Sequence, residues 1–165
     1  MTHRPLCLAL LPFLFASCGT VYHWQEIQTE PMTIGKVYDA VEYIAGGAGF
    51  APAPECDRGL GIWTSRWRPR SLQLGRPGRF RLKVEIMVDK GSAKDGWLIR
   101  YLVEQEKVKD LKKSKNPEEK DWSNDGQYQE REATFGDALE RRLKGSEGVR
   151  VQPVDRNTVR SASGG

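Results

Sequence analysis

The sequence predicts an α+β fold, in which two helices pack on one face of an antiparallel sheet of three or four strands. Three observations lead to this prediction. Residues 34–45 and 133–144 repeat apolar side chains at helical spacing, and residues 61–107 contain three stretches of alternating character joined by short connections. The predicted order is therefore α-β-β-β-α, and Val149 and Val151 allow a final strand.

The first helix is predicted from its cap, its apolar stripe and its glycine stop. Thr33 is the expected N-cap residue. The apolar residues that follow at helical spacing are Ile34, Val37, Tyr38, Val41, Ile44 and Ala45. Gly46 and Gly47 then end the helix, because glycine readily takes the conformation of a C-terminal cap.

The three predicted strands cover residues 61–68, 79–88 and 97–107. The second is the clearest, with Phe80, Leu82, Val84, Ile86 and Val88 on one face and Arg79, Arg81, Lys83, Glu85 and Met87 on the other. Short connections predict an antiparallel meander with one buried face and one solvated face. Arg79 and Arg81 would then lie opposite Glu104 and Glu106 of the third strand.

The rest of the domain is predicted from charge and from one further apolar stripe. Residues 109–132 carry many charges of both signs, are interrupted at Asn116-Pro117, and are predicted to form a long mobile excursion. The second helix returns with Phe135, Ala138, Leu139 and Leu143 facing inward, and Gly145 ends it. A single domain of residues 32–152 and a disordered tail of residues 153–165 follow from these assignments.

The N-terminus has the pattern of a secretory signal over residues 1–17, with Arg4 before a short apolar run. Phe15-Ala16-Ser17-Cys18 resembles the lipobox of bacterial lipoproteins, with Phe15 where leucine is usual. The resemblance implies that Cys18 becomes the lipidated first residue and holds the protein in the cell envelope, with the outer membrane and a periplasmic orientation favoured. Residues 18–31 would form a tether reaching about 45 Å.

Composition argues against several functions. The net charge is only +4, from 26 basic and 22 acidic residues, which does not predict a nucleic-acid partner. Three cysteines are present, but removal of the signal and acylation of Cys18 leave Cys56 alone, so no internal disulfide is expected. The mature chain has one histidine, His23, in the tether. No metal site, cofactor or histidine-based catalysis is therefore predicted.

A second resemblance rests on a turn followed by a strand. Asp57-Arg58, Gly61, Trp63-Thr64 and Trp67 are similar to a recurring envelope-domain pattern within residues 31–108. The pattern resembles the helix-grip domains of a lipoprotein component of the β-barrel assembly machinery, and those of other small Gram-negative envelope lipoproteins. The resemblance implies a partner-binding protein without catalytic activity.

Together these features predict a lipid-anchored envelope protein that binds a partner, as an adaptor or accessory subunit of an envelope complex. The candidate contact surface for an anionic lipid or glycan comprises Arg66, Arg68, Arg70, Arg79 and Arg81.

Two alternatives remain open. One is a cell-wall or lipid-acting enzyme that uses Glu104 and Glu106, whose backbones would lie about 7 Å apart on one strand. The other is a small-ligand carrier with an aromatic pocket, lined by Trp63, Trp67, Trp97 and Tyr101.

Overall fold

A computed structural model describes residues 22–145, in which two helices pack against a six-stranded antiparallel sheet. The strands are β1 (Gln25–Gln28), β2 (Ile62–Thr64), β3 (Arg68–Ser71), β4 (Pro77–Ser92), β5 (Gly96–Val108) and β6 (Trp122–Gln127). The helices are α1 (Ile34–Gly47) and α2 (Gln129–Gly145). The predicted α+β class is confirmed, and the sheet has more strands than the three or four expected.

The long hairpin of β4 and β5 forms the centre of the sheet. The two strands pair in one continuous register from Gly78 opposite Lys107 to Met87 opposite Leu98. Strands β2 and β3 pair with the free side of β4, whereas β1 and β6 pair with the free side of β5. All other strands are therefore positioned by this hairpin.

The core lies between the two helices and the face of the sheet that they cover, here called the inner face. Alternation along the hairpin brings every second residue to this face, as the sequence predicts. The most buried residues of the core are Val37, Val41, Trp63, Leu82, Val84, Ile99, Val103, Phe135 and Leu139.

Helix α1 agrees closely with the prediction. Thr33 occupies the N-cap position with an extended backbone, although its side chain makes no capping hydrogen bond. The helix ends at Gly47, and the N–H of Ala48 closes the last turn on the carbonyl of Ile44 at 2.9 Å.

Helix α2 begins at Gln129, four residues before its predicted start, because a polar contact rather than an apolar one fixes its first turn. Glu132 is 3% exposed, and its Oε1 accepts hydrogen bonds from the N–H of Val103 and from Nε2 of Gln127, both at 2.8 Å. The carboxylate thus joins α2 to β5, and a pattern of apolar residues cannot reveal such a contact.

The first predicted strand, residues 61–68, is divided into β2 and β3. Between them the chain leaves β4 partly to pair with the preceding loop, where the N–H of Arg66 donates to the carbonyl of Ala51 at 2.8 Å. The chain returns to β4 at Arg68, and Pro69, the residue after the predicted strand, lies within β3. Proline is tolerated there because β3 is an edge strand.

Two predicted boundaries need correction. Residues 18–31 are not a tether throughout, because β1 (Gln25–Gln28) pairs with β5 and Ile27 packs against the core.

Residues 109–132 are not one excursion, since they include β6 and the start of α2. Two 3₁₀ turns in this segment, at Leu111–Lys113 and Glu119–Asp121, are joined by an ion pair between Lys113 and Asp121 at 2.6 Å. Paired charges and backbone hydrogen bonds order a segment that carries little apolar signal.

The predicted signal, Cys18, Val149, Val151 and the predicted tail lie outside the described residues.

The motif at residues 57–67 has a structural explanation. Oδ1 of Asp57 accepts hydrogen bonds from the N–H groups of Gly59 and Leu60 at 2.8 and 3.0 Å, which closes a turn before β2. Gly61 has φ 69°, and a Cβ at this position would lie 2.7 Å from the carbonyl oxygen of Ile86. Glycine is therefore required here both by conformation and by space.

The packing of α2 on β5 predicts opposite effects for alanine at two helical glycines. At Gly136 a Cβ would overlap the hydroxyl and ring of Tyr101, whereas at Gly46 it would meet nothing within 4 Å. Gly136→Ala should lower the free energy of unfolding by about 1–3 kcal/mol through overpacking. Gly46→Ala should raise it by about 0.5–1 kcal/mol through helix propensity. Urea unfolding followed by circular dichroism measures both, and shifts of the same sign would contradict this packing.

Candidate functional site

The five arginines of the predicted contact surface do not share one surface. Arg79 and Arg81 lie on the face of the sheet opposite the helices, here called the outer face, because they alternate with the buried residues of β4. Arg68 and Arg70 lie on the inner face, since they pair with residues of β4 that point toward the helices. Arg66 is exposed between β2 and β3.

Arg68 is used within the fold. Its Nη1 donates to the carbonyl of Ala48, just after α1, at 3.0 Å. Its guanidinium also lies 5.6 Å from the ring centre of Phe80 and 5.8 Å from that of Phe50. The side chain thus links the end of α1 to β3 and β4, which is a structural role.

On the outer face, Arg79 lies between two tryptophan rings. Its guanidinium carbon is 4.2 Å from the ring centre of Trp67 and 4.5 Å from that of Trp122; we call these three residues the tryptophan clamp. The same guanidinium donates to Glu106 at 2.6 Å and to Glu119 at 2.7 and 2.5 Å. These hydrogen bonds from Arg79 lower the pKa of the Glu119 carboxyl. The clamp covers part of the face that was predicted to be solvated.

The two candidate catalytic carboxylates lie on the outer face and are both paired with cations. Glu104 is 5% exposed and pairs with Arg81 and with Lys83, the latter at 2.9 Å. Glu106 pairs with Arg79. The predicted placement of the arginines opposite the two glutamates is confirmed by the register of β4 and β5. Their contacts form a ladder of ion pairs between β4 and β5.

The four aromatic residues of the alternative carrier hypothesis do not surround a common cavity. Trp63 is a core residue on the inner face, while Trp67 belongs to the tryptophan clamp on the outer face. Trp97 is half-buried, and its indole N–H donates to a main-chain carbonyl before α1 at 2.8 Å. Tyr101 is buried beneath α2, and burial raises the pKa of its hydroxyl.

A cavity with a volume of about 800 Å³ lies on the inner face of the sheet, and no residue of α1 or α2 lines it. We call it the basic groove. Arg70, Arg76 and Lys107 supply three cations to its lining, against one carboxylate from Asp125. Only Arg70 of the five predicted arginines contributes to it.

A chain of polar contacts crosses the basic groove. Arg70 stacks on Tyr128, with its guanidinium carbon 3.7 Å from the ring centre, and donates to Oε1 of Gln105 at 2.5 Å. Gln105 donates to Asp125 at 2.7 Å, and Lys107 pairs with the other oxygen of that carboxylate at 2.7 Å. Burial opposes ionisation of Asp125, but the contacts with Lys107 and Gln105 outweigh it and lower its pKa. Asp125 is therefore an anion that offsets part of the positive charge.

Leucines form the apolar part of the basic groove. Leu72 is half-buried, whereas Leu74 is fully exposed and Leu111 is 61% exposed. Leu74 is also the one non-glycine residue among those described that has a positive φ, at 59°. A conformation that favours glycine is thus occupied by a large apolar side chain that contacts solvent.

Sequence reasoning predicted only Arg70 of this groove, because most of the other lining residues come from a predicted connection and a predicted excursion. One signal was present: Leu72 and Leu74 lie in the connection before Gly75-Arg76-Pro77-Gly78, where apolar residues are not expected. The contributions of Lys107 and Asp125 depend on the pairing of β5 with β6, which the sequence does not predict.

The structure also describes Cys56, the one cysteine within residues 22–145. Cys56 is half-buried, and its thiol lies 3.2 Å from the carbonyl oxygen of Thr64. Within residues 22–145, no group of three or more histidine, cysteine or acidic side chains is arranged to hold a metal ion. None of the helices described in this range is both long enough and apolar enough to span a membrane.

Comparison with known proteins assigns no class: no protein-family model matches the chain, and no curated protein sequence matches it.

The tryptophan clamp predicts that lysine cannot replace Arg79. Lysine lacks the planar group that stacks between two rings and donates to two carboxylates, so Arg79→Lys should lower the free energy of unfolding by about 1–2 kcal/mol. Arg66→Lys, at an exposed arginine, is the matched control and should change it by less than about 0.5 kcal/mol. Urea unfolding provides the measurement, and equal midpoints for the two variants would show that the clamp contributes no stability.

Proposed function

We propose that the protein is a lipid-anchored component of the cell envelope that acts by binding, as an adaptor or accessory subunit of an envelope complex. The open basic groove supports a binding role. It presents three cations and two exposed leucines together in one cavity. A surface of this composition is typical of a recognition site.

Anchoring is supported by the tetrapeptide Phe15-Ala16-Ser17-Cys18 and by a short path from it to the domain. Residues 22–24 already lie against the sheet, where the backbone of His23 exchanges hydrogen bonds with the side chain of Gln127 at 2.7 and 2.9 Å. Four residue steps separate Cys18 from Tyr22, which reach at most about 14 Å. An acylated Cys18 would hold this edge of the sheet close to the membrane, and not at the 45 Å that a complete tether allows.

A binding role also accounts for the outer-face charges better than catalysis does. Glu104 and Glu106 are each in contact with at least one cation, and Glu104 contacts two. Paired carboxylates that perform hydrolysis must reach a substrate placed between them. In this protein Glu106 is paired with Arg79, and Glu104 is paired with Arg81.

Lipid attachment is tested by replacing the predicted acylated residue. Cys18→Ser should abolish incorporation of a radiolabelled fatty acid and leave a precursor of unchanged length, because the thiol is the attachment atom. Cys7→Ser changes a cysteine within the apolar run and should leave labelling and processing intact. Normal labelling of the Cys18→Ser protein would refute the anchor.

Partner binding is tested in cells by placing a photo-reactive amino acid at exposed positions. Leu74 lies on the basic groove and Leu60 lies in the turn before β2, and both side chains are at least 60% exposed. Irradiation should give one discrete adduct with another envelope protein from Leu74, and none or weaker adducts from Leu60. Absence of an adduct from both positions in correctly anchored protein would count against an adaptor role.

A further inference from the structure

We propose that the basic groove binds an extended acidic segment of a partner protein that carries leucine-like side chains between its carboxylates. This inference rests on the proposed binding function and specifies the chemistry of the partner. It is drawn from three properties of the groove, namely its charge, its apolar rim and its extent across the sheet.

The positive charge of the groove favours an anionic ligand. The groove places Arg70, Arg76 and Lys107 around one cavity, and Asp125 is the single carboxylate of the lining. Arg76 is fixed by two hydrogen bonds, from its guanidinium to the carbonyls of Val108 and Lys109, each at 2.9 Å. Cations held in fixed positions bind carboxylates at a smaller entropic cost than free side chains do.

The exposed leucines of the groove favour a ligand that also has apolar side chains. Leu74 keeps a positive φ of 59° and a fully exposed side chain, although glycine would occupy that conformation without strain. Leu111 faces the same cavity from the segment before β6 and is 61% exposed. Burial of both leucines against a ligand would remove their apolar surface from water, which favours association.

The groove extends across several strands, which suits a polypeptide better than a single lipid headgroup. Its lining runs from Arg70 and Ser71 of β3 to Lys107 of β5 and Asp125 of β6. Neighbouring strands of a sheet lie about 4.8 Å apart, so the distance from β3 across β4 and β5 to β6 is about 14 Å. An extended segment of about five residues covers this distance and can present several side chains to the groove.

The test uses purified full-length protein and fluorescein-labelled peptides followed by fluorescence anisotropy. A peptide alternating glutamate and leucine should bind. Peptides alternating glutamine with leucine, or glutamate with serine, should bind at least about tenfold more weakly, since each lacks one of the two complementary features. Equal binding of all three peptides, or binding of none, would overturn the proposal.

Two substitutions separate recognition from folding. Leu74→Gly should weaken binding of the glutamate–leucine peptide about tenfold, while the melting temperature stays the same or rises because the strained backbone is relieved. Leu60→Ser changes an exposed leucine outside the groove and should leave affinity unchanged. Unchanged affinity of the Leu74→Gly protein would overturn the role of the leucine rim.

Asp125→Asn should change the affinity for the acidic peptide in the opposite direction. Asparagine retains an acceptor for Gln105 but removes the carboxylate that offsets Lys107, so affinity for the acidic peptide should rise about threefold or more. A merely structural role of Asp125 would lower affinity or leave it unchanged, and either result would count against the charge argument.

The soluble lipid dihexanoylphosphatidylglycerol tests whether the groove binds an anionic lipid instead of an acidic peptide. It should not displace the bound glutamate–leucine peptide, and its binding to the groove in place of that peptide would overturn the peptide assignment. These measurements do not depend on acylation of Cys18, so failure of the peptide proposal and failure of the anchor are distinguishable.

Discussion

The antiparallel register of β4 and β5 is the constraint on which the rest of the structure depends. It places Arg79 opposite Glu106 and Arg81 opposite Glu104 on the outer face, and at the same time it aligns the apolar residues beneath the helices. Because side chains alternate along a strand, a shift of one residue would bring every charge into the core. Charge pairing and apolar burial therefore favour the same register, and each reinforces the other.

The outer face shows how much an apparently polar surface can contribute to a fold. Arg79 stacks between Trp67 and Trp122, and Arg100 lies 4.8 Å from the ring centre of Trp24. These tryptophans come from three separate segments, each added to a different part of the sheet. Arginine suits such positions because its planar cation can stack on a ring while donating to carboxylates. Residues that resemble a ligand-binding surface in sequence thus act mainly as a second layer of packing.

The basic groove differs from this layer because its apolar residues remain exposed. At Lys107 the inner face of the sheet lines the groove, and no residue of either helix contributes to this lining. There the cations are held by main-chain carbonyls and by Asp125, while Leu74 projects into solvent from a strained backbone. Local strain that no internal contact explains is more often associated with recognition than with stability. This contrast supports the proposed binding role of the groove.

The sequence by itself determined the fold class, both helices and the central hairpin, because the apolar periodicities of α1, β4 and β5 are long and uninterrupted. It also predicted that Arg79 and Arg81 would face Glu104 and Glu106, since alternation and antiparallel pairing are sufficient for that. Only the tertiary structure decided the places of β1, β6 and the groove. Their positions depend on backbone hydrogen bonds, on the buried carboxylate of Glu132 and on ion pairs between distant segments. Interactions of this kind leave no periodic pattern in the sequence.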